Sequence, residues 1–139
     1  MLLRGIVVFT VGVCLFGGIA AAEPARDAIL ADYLNQARQA DPGFTAFSAE
    51  RGEALFKARH AHNPDVPSCT TCHTEDPTRQ GRHYKTGRAI EPVAVSRNPE
   101  RFTDATEVEK RFSRDCKNVL GRLCTAVEKG DYVTFMMSR

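Results

Sequence analysis

Cys69-Thr70-Thr71-Cys72-His73 places more chemistry in five residues than any other part of the chain. Two thiols separated by two residues can reach the two vinyl groups along one edge of a porphyrin. The next residue can then turn an imidazole nitrogen under the ring and onto iron. The pattern reads as covalent attachment of one c-type haem, with Cys69 and Cys72 as attachment points and His73 as the proximal iron ligand. Two rival uses fit worse. A zinc ribbon needs a second close thiol pair, and Cys116 and Cys124 stand too far apart. A thioredoxin-like site needs a βαβ context, and no clear alternating strands flank the motif. With the first pair committed to haem, Cys116 and Cys124 are left free to form a disulfide.

The rest of the chain must position that motif. Residues 1–22 differ in kind from the remainder of the chain: Arg4, an apolar run from Ile6 to Ile19, then Ala20-Ala21-Ala22. This is the layout of a cleaved export signal, and the run is shorter than the ~20 apolar residues of a spanning helix. The expected mature domain is 23–139, periplasmic and without a membrane span, and Cys14 is lost with the signal. Removing Arg4 leaves eighteen basic against seventeen acidic residues, a balance that gives no reason to expect nucleic-acid binding. One small domain of this length has a modest core and gains from a large apolar prosthetic group.

Periodicity predicts helices joined by long loops. Ala28, Ile29, Tyr33, Leu34 and Ala37 mark a helix from Pro24 to Ala40, stopped by Asp41-Pro42-Gly43. Ser48 caps a second helix carrying Ala54, Leu55 and Ala58 toward His60. His60 and His62 read as residues at that helix's end. The stretch from the motif to Pro99 is loop-rich and long enough to wrap a haem, with Ile90, Pro92, Val93 and Val95 as expected porphyrin contacts. Asp104 with Glu107, and Thr125 with Glu128, predict two further capped helices. Arg79, Arg82, Lys85 and Arg88 cluster just after the motif and could meet an acidic partner or the haem propionates.

Arg51-Gly52-Glu53-Ala54-Leu55-Phe56, then Cys-x-x-Cys-His, then an aromatic-bearing terminal helix resemble class I cytochromes c. The fold implied is all-α, a small helical domain wrapped around one covalent haem, with its core over 49–137. In that fold the first and last helices cross closely, which a small residue such as Gly52 would permit. A narrower resemblance is carried by Pro64-Asp65-Val66-Pro67-Ser68 before Cys69, by Arg101-Phe102-Thr103-Asp104, by Val108-Glu109-Lys110, and by Cys116, Gly121-Arg122 and Cys124. Together they resemble the sphaeroides haem protein family. That resemblance implies a periplasmic monohaem electron carrier able to bind oxygen or nitric oxide, with a Cys116–Cys124 disulfide. It also implies a dihaem cytochrome c and a membrane cytochrome b as redox partners.

The family places a distal asparagine immediately before the first disulfide cysteine, where this chain has Asp115. Asp115 is therefore the positional candidate for the sixth ligand; its alternative role is a solvated residue paired with Arg111 or Arg114. His83 is a second candidate, which would give a sealed bis-histidine carrier, and Asn118 a third. No methionine lies between His73 and Met136, and Met136 and Met137 read as core or end residues of the last helix. The leading function is electron transfer through a weakly ligated haem that admits small ligands such as O2 or NO, rather than enzymatic turnover. The alternatives are a haem enzyme or gas sensor acting on oxygen or nitrogen oxides, a sealed carrier, and a structural haem module.

Overall fold

The computed structural model describes residues 19–139, with side chains from Ala22 onward. Most of the expected export signal, Cys14 included, lies outside the described residues. Helix α1 spans Ile19–Ala40 and α2 spans Ala49–Lys57. A single turn, α3, covers Thr70–His73. A two-stranded ribbon pairs β1 (Gly81–Arg82) with β2 (Ala89–Ile90), and α4 (Ala105–Leu120) and α5 (Ala126–Met137) complete the domain.

α1 begins five residues before Pro24, earlier than the predicted start. Ala20 to Ala22 are strong helix formers, and Pro24 gives up only a bond to the helix's second residue. Ile29, Tyr33 and Ala37 recur every fourth residue and are buried. With Val108 and Val133 on α4 and α5, Ile29 and Tyr33 form one core cluster. Arg26, also buried, reaches across to the carbonyl of Pro99 (2.5 Å) and fixes α1 to the segment before α4.

The helix starts agree with the predicted caps. Ser48 Oγ accepts from Arg51 N, and Thr125 and Glu128 form a complete reciprocal capping box. Asp104 accepts from Glu107 N, but Glu107 turns its own carboxylate to Lys110, so only half of that box is made. Gly121 ends α4 in the left-handed region (φ +73°), where any side chain is strained.

α2 and α5 cross at the centre of the domain, and Gly52 is the reason they can. A Cβ there would lie 2.1 Å from the carbonyl oxygen of Asp131 and 2.8 Å from Phe135 Cβ. The close crossing expected from Gly52 is thus present. Arg51 clamps it with a two-pronged bond to buried Asp131 (both contacts 2.7 Å), whose Oδ1 also accepts from Ser48 N. Phe56, Val93, Phe135 and Met136 form the second core cluster beneath the crossing.

The ribbon was not expected from the sequence. Two residues per strand are too few to show alternation. The hairpin is closed instead by backbone bonds from His83 N to Arg88 O and from Gly87 N to His83 O, both 2.8 Å.

Candidate haem-binding site

Cys69 occupies the cap of α3 in helical conformation, and the amides of Cys72 and His73 return to its carbonyl at 3.3 and 3.1 Å. One turn therefore brings the two thiols, three residues apart, to the same side, with the imidazole next along the chain. Thr74 ends the turn at φ +62°, unusual for a β-branched residue, and redirects the chain immediately after His73.

Three contacts hold this turn. Ser68, 1% exposed, donates to the Phe56 carbonyl (3.1 Å) and accepts from the amide and hydroxyl of Thr70. The motif is thereby tied to the end of α2. Phe56, fully buried, sets its ring 6.5 Å from the His73 ring. On the other side, the backbone of Gly81 presses on the motif so closely that a Cβ would lie 2.2 Å from the Cys72 carbonyl oxygen.

Next to the turn stands an aromatic wall. Tyr132 packs against Phe56 (6.1 Å between centroids), Phe102 (6.2 Å) and Phe112 (5.5 Å). Tyr132, Phe102, Phe112 and Cys69 pack on the two core clusters yet remain partly open to water. These partly open faces offer apolar surface beside Cys69. Phe102 takes φ +61°, a backbone position that non-glycine residues rarely adopt, and in it the ring meets Tyr132 edge-on.

Burial shapes the ionisation of these groups. It pushes the His73 imidazole down to about 4, helped by Arg101, Arg111 and Arg114 and opposed by Asp115. It raises the Cys69 thiol to about 11, with Asp115 and Cys72 adding to the effect. The Tyr132 hydroxyl is likewise held well above its usual value by burial, then by Cys69 and Asp115. A neutral imidazole has a free lone pair for a metal, and two free thiols can add to a pair of vinyl groups. Donor set and partly open aromatic wall therefore fit a haem attached through two thioethers.

The candidate distal residues separate in space. Asp115 lies three residues beyond Phe112 on the same face of α4, and its charge is felt at Cys69, His73 and Tyr132. Its carboxylate pairs with neighbouring Arg114 at 2.7 Å, with the Asp115 side chain half exposed. His83 lies in the hairpin turn, where Nδ1 accepts from the amides of Lys85 and Thr86 and the ring stacks on Tyr84. Asn118 accepts from Asn63 Nδ2 at 2.8 Å, tying α4 to the loop before the motif. Cys116 and Cys124 form a disulfide (Cα–Cα 5.6 Å) that joins the end of α4 to the residue before the α5 cap.

Several expectations need adjustment. His60 and His62 do not end α2, which closes with the Ala58 amide on the Ala54 carbonyl; the His62 ring instead covers Gly121. Val93 is spent in the protein core with Phe56 and Met136, while Met136 is fully buried as expected and Met137 exposed. Arg101 is the residue whose role was missed. Its guanidinium holds the carbonyls of Pro92 (3.4 Å) and Glu91 (3.3 Å), and its charge reaches His73 and Tyr132. Its place beside Phe102 in a shared motif was the one available signal, and it named no partner.

Residues 42–136 match the family described as a domain of unknown function, DUF1924. The cytochrome c-type protein SHP of Cereibacter sphaeroides is 48% identical over 92 residues, covering 66% of this chain and 70% of that protein. Cytochrome c'' of Methylophilus methylotrophus is 30% identical over 132 residues, covering 91% and 92%. The structure of oxidised SHP, described as an oxygen-binding cytochrome c, superposes with a TM-score of 0.73 at 43% identity, covering 82% of this chain and 96% of that one. The helical fold around a Cys-x-x-Cys-His turn and these likenesses agree: the chain belongs to the c-type cytochrome family of SHP and cytochrome c'', and its cofactor is covalently attached haem.

Proposed function

We propose that this protein is a periplasmic cytochrome that transfers electrons through one weakly ligated haem, which also admits small ligands such as O2 or NO. Cys69 and Cys72 would tether the haem, and His73 and Asp115 would be the residues that approach its iron. Export is inferred from the signal-like residues 1–22. The observation that carries the reading is the position of Asp115, one turn beyond Phe112 of the aromatic wall, while Met136 is buried in the core. SHP, the relative described as oxygen-binding, supports it.

When bound, haem would supply a one-electron centre and a position at iron for a further ligand. The chain's own groups set how that position behaves. His73, neutral and backed by Phe56, presents a fixed nitrogen donor. Asp115 offers a hard anionic oxygen, which favours ferric iron and lowers the reduction potential. Its partner Arg114 is largely exposed, and such ion pairs are worth only about 0–1 kcal/mol. Little therefore opposes the carboxylate leaving Arg114.

Optical and EPR spectra of the ferric and ferrous holoprotein, with and without carbon monoxide, test this. Fast carbon monoxide binding to the ferrous wild type is expected, with a ferric spectrum altered by Asp115→Ala and untouched by His83→Ala. Low-spin spectra in both states, changed by His83→Ala alone, would establish the sealed bis-histidine carrier instead. Haem staining on a denaturing gel checks attachment: Cys69→Ser and Cys72→Ser each weaken it, and the double variant loses it.

A further inference from the structure

The β1–β2 hairpin carries positive charge that the haem site does not use. Residues 77–90 contain Arg79, Arg82, Lys85 and Arg88 and no acidic residue. All four side chains are exposed. Among the described residues the ion pairs engage other cations, namely Arg51, Lys57, Lys110, Arg114, Arg122, Lys129 and Arg139. Beyond residue 22 the chain holds nearly equal numbers of basic and acidic residues, so the surplus on the hairpin leaves the remainder net negative. The molecule is electrically lopsided rather than basic, and a lopsided charge orients an approaching partner.

The hairpin also keeps these charges in place. Its base is pinned by Gly81 against the Cys72 carbonyl, and its strands pair Gly81 with Ile90 and Arg82 with Ala89. Arg82 bonds the Gly87 carbonyl at 2.8 Å across the turn, and Gly87 takes φ +68° to make that turn. At the tip Tyr84 is 40% exposed and rests on the His83 ring. An exposed aromatic among arginines is the composition of a protein interface.

We propose that this hairpin is the docking surface for a redox protein with an acidic patch, which it holds beside the haem edge nearest Cys72. The inference rests on the electron-transfer reading and gives the partner's chemistry and the face it uses. A protein fits better than a membrane surface, because a single aromatic tip offers no apolar face to bury and because the hairpin is fixed to the haem-bearing turn.

The test compares ferrous holoprotein of the wild type, Arg82→Glu/Lys85→Glu/Arg88→Glu, and a control of equal charge change, Arg38→Glu/Arg59→Glu/Lys117→Glu. Each gives one electron to hexacyanoferrate(III), leaving ferric haem and hexacyanoferrate(II). At low salt the hairpin variant is expected to react about tenfold or more slowly than wild type, and the control to change by less than about threefold. Tris(phenanthroline)cobalt(III), a cation, shows the opposite order. Equal rates for the hairpin variant and the control overturn the proposal. Binding is read separately, from amide shifts on adding an acidic plant-type [2Fe–2S] ferredoxin at low salt. Shifts over residues 79–90 that vanish in the hairpin variant support it; shifts elsewhere, or none, overturn it. Cosedimentation with phosphatidylglycerol vesicles that depends on the hairpin, without ferredoxin shifts, assigns the patch to lipid and also overturns it. If neither oxidant reacts with the haem, the electron-carrier reading fails, and the ferredoxin titration still decides the surface.

Discussion

Gly52→Ala sets the helix crossing against intrinsic helix preference. Alanine is favoured over glycine inside a helix by about 1 kcal/mol, so the change would stabilise α2 in isolation. In the folded protein the new methyl carbon would sit 2.1 Å from the Asp131 carbonyl oxygen and 2.6 Å from its carbon. Both are backbone atoms of α5 and cannot rotate aside. An ordinary carbon–oxygen contact is more than an ångström longer, so the helices must separate or slide. Overpacking of that kind costs about 3 kcal/mol or somewhat more, which leaves a net loss of about 2 kcal/mol after the helix gain. The same displacement pulls Arg51 and Ser48 away from Asp131 and moves Phe56 relative to His73. Urea denaturation of the holoprotein measures the loss, and its Soret band reports any movement near the haem. Gly43→Ala, in an exposed turn where the nearest atom to a Cβ is a side-chain oxygen at 3.3 Å, should stay within about 0.5 kcal/mol of wild type. A Gly52→Ala protein as stable as wild type, with an unchanged Soret band, would refute the close crossing.

Two further outcomes rest on named contacts. Replacing both Cys116 and Cys124 by serine opens the short loop they close, which on the chain-entropy argument costs about 2.5 kcal/mol and lowers the urea midpoint. The ferric spectrum should shift as well, because Asp115 adjoins the bridge; an unchanged spectrum would mean that the bridge does not steady that residue. Hydrogen bonds from Arg122 hold the Glu128 carboxyl below its usual range, against the upward push of burial, and the Thr125 amide adds to the lowering. A carboxylate depressed in the folded state contributes stability above its unfolded value and loses it as pH falls toward the folded one. Glu128→Gln should therefore flatten the acid limb of a melting-temperature profile from pH 7 to pH 2, and an equally steep limb would contradict the assignment.

What was legible in the sequence was what local chemistry dictates. Thr125 with Glu128, Asp104 and Ser48 announce helix starts because their side chains satisfy amides within three residues. The resemblance to class I cytochromes c implied the crossing, and Gly52 marked where it could occur, because a glycine inside a helix needs a reason. Cys69, Cys72 and His73 bring their geometry with them, since one helical turn is enough to align them. The harder features depend on residues far apart in the chain. Arg26 reaches Pro99, Arg101 reaches Glu91 and Pro92, and Gly81 meets Cys72, and none of these leaves a periodic trace. The hairpin has no alternation to read and is made by short-range bonds of its own backbone, with Arg82 and His83 bracing the turn. His83 suits iron by type, and only the folded turn supplies the two amides that donate to its Nδ1.

The crossing of α2 and α5 also governs timing. The two helices are separated in the chain by the whole haem-binding stretch, and Phe56 has no Phe135 or Met136 to pack on until α5 has emerged. Until then Ser68 and the motif behind it are anchored to an α2 that has nothing to rest against. The thiols of Cys69 and Cys72 thus stay on an open chain until nearly all of the domain has been made, accessible to haem. Arrival of the terminal helix shuts that interval, and the fold keeps its cofactor-loading window open by leaving its keystone until late.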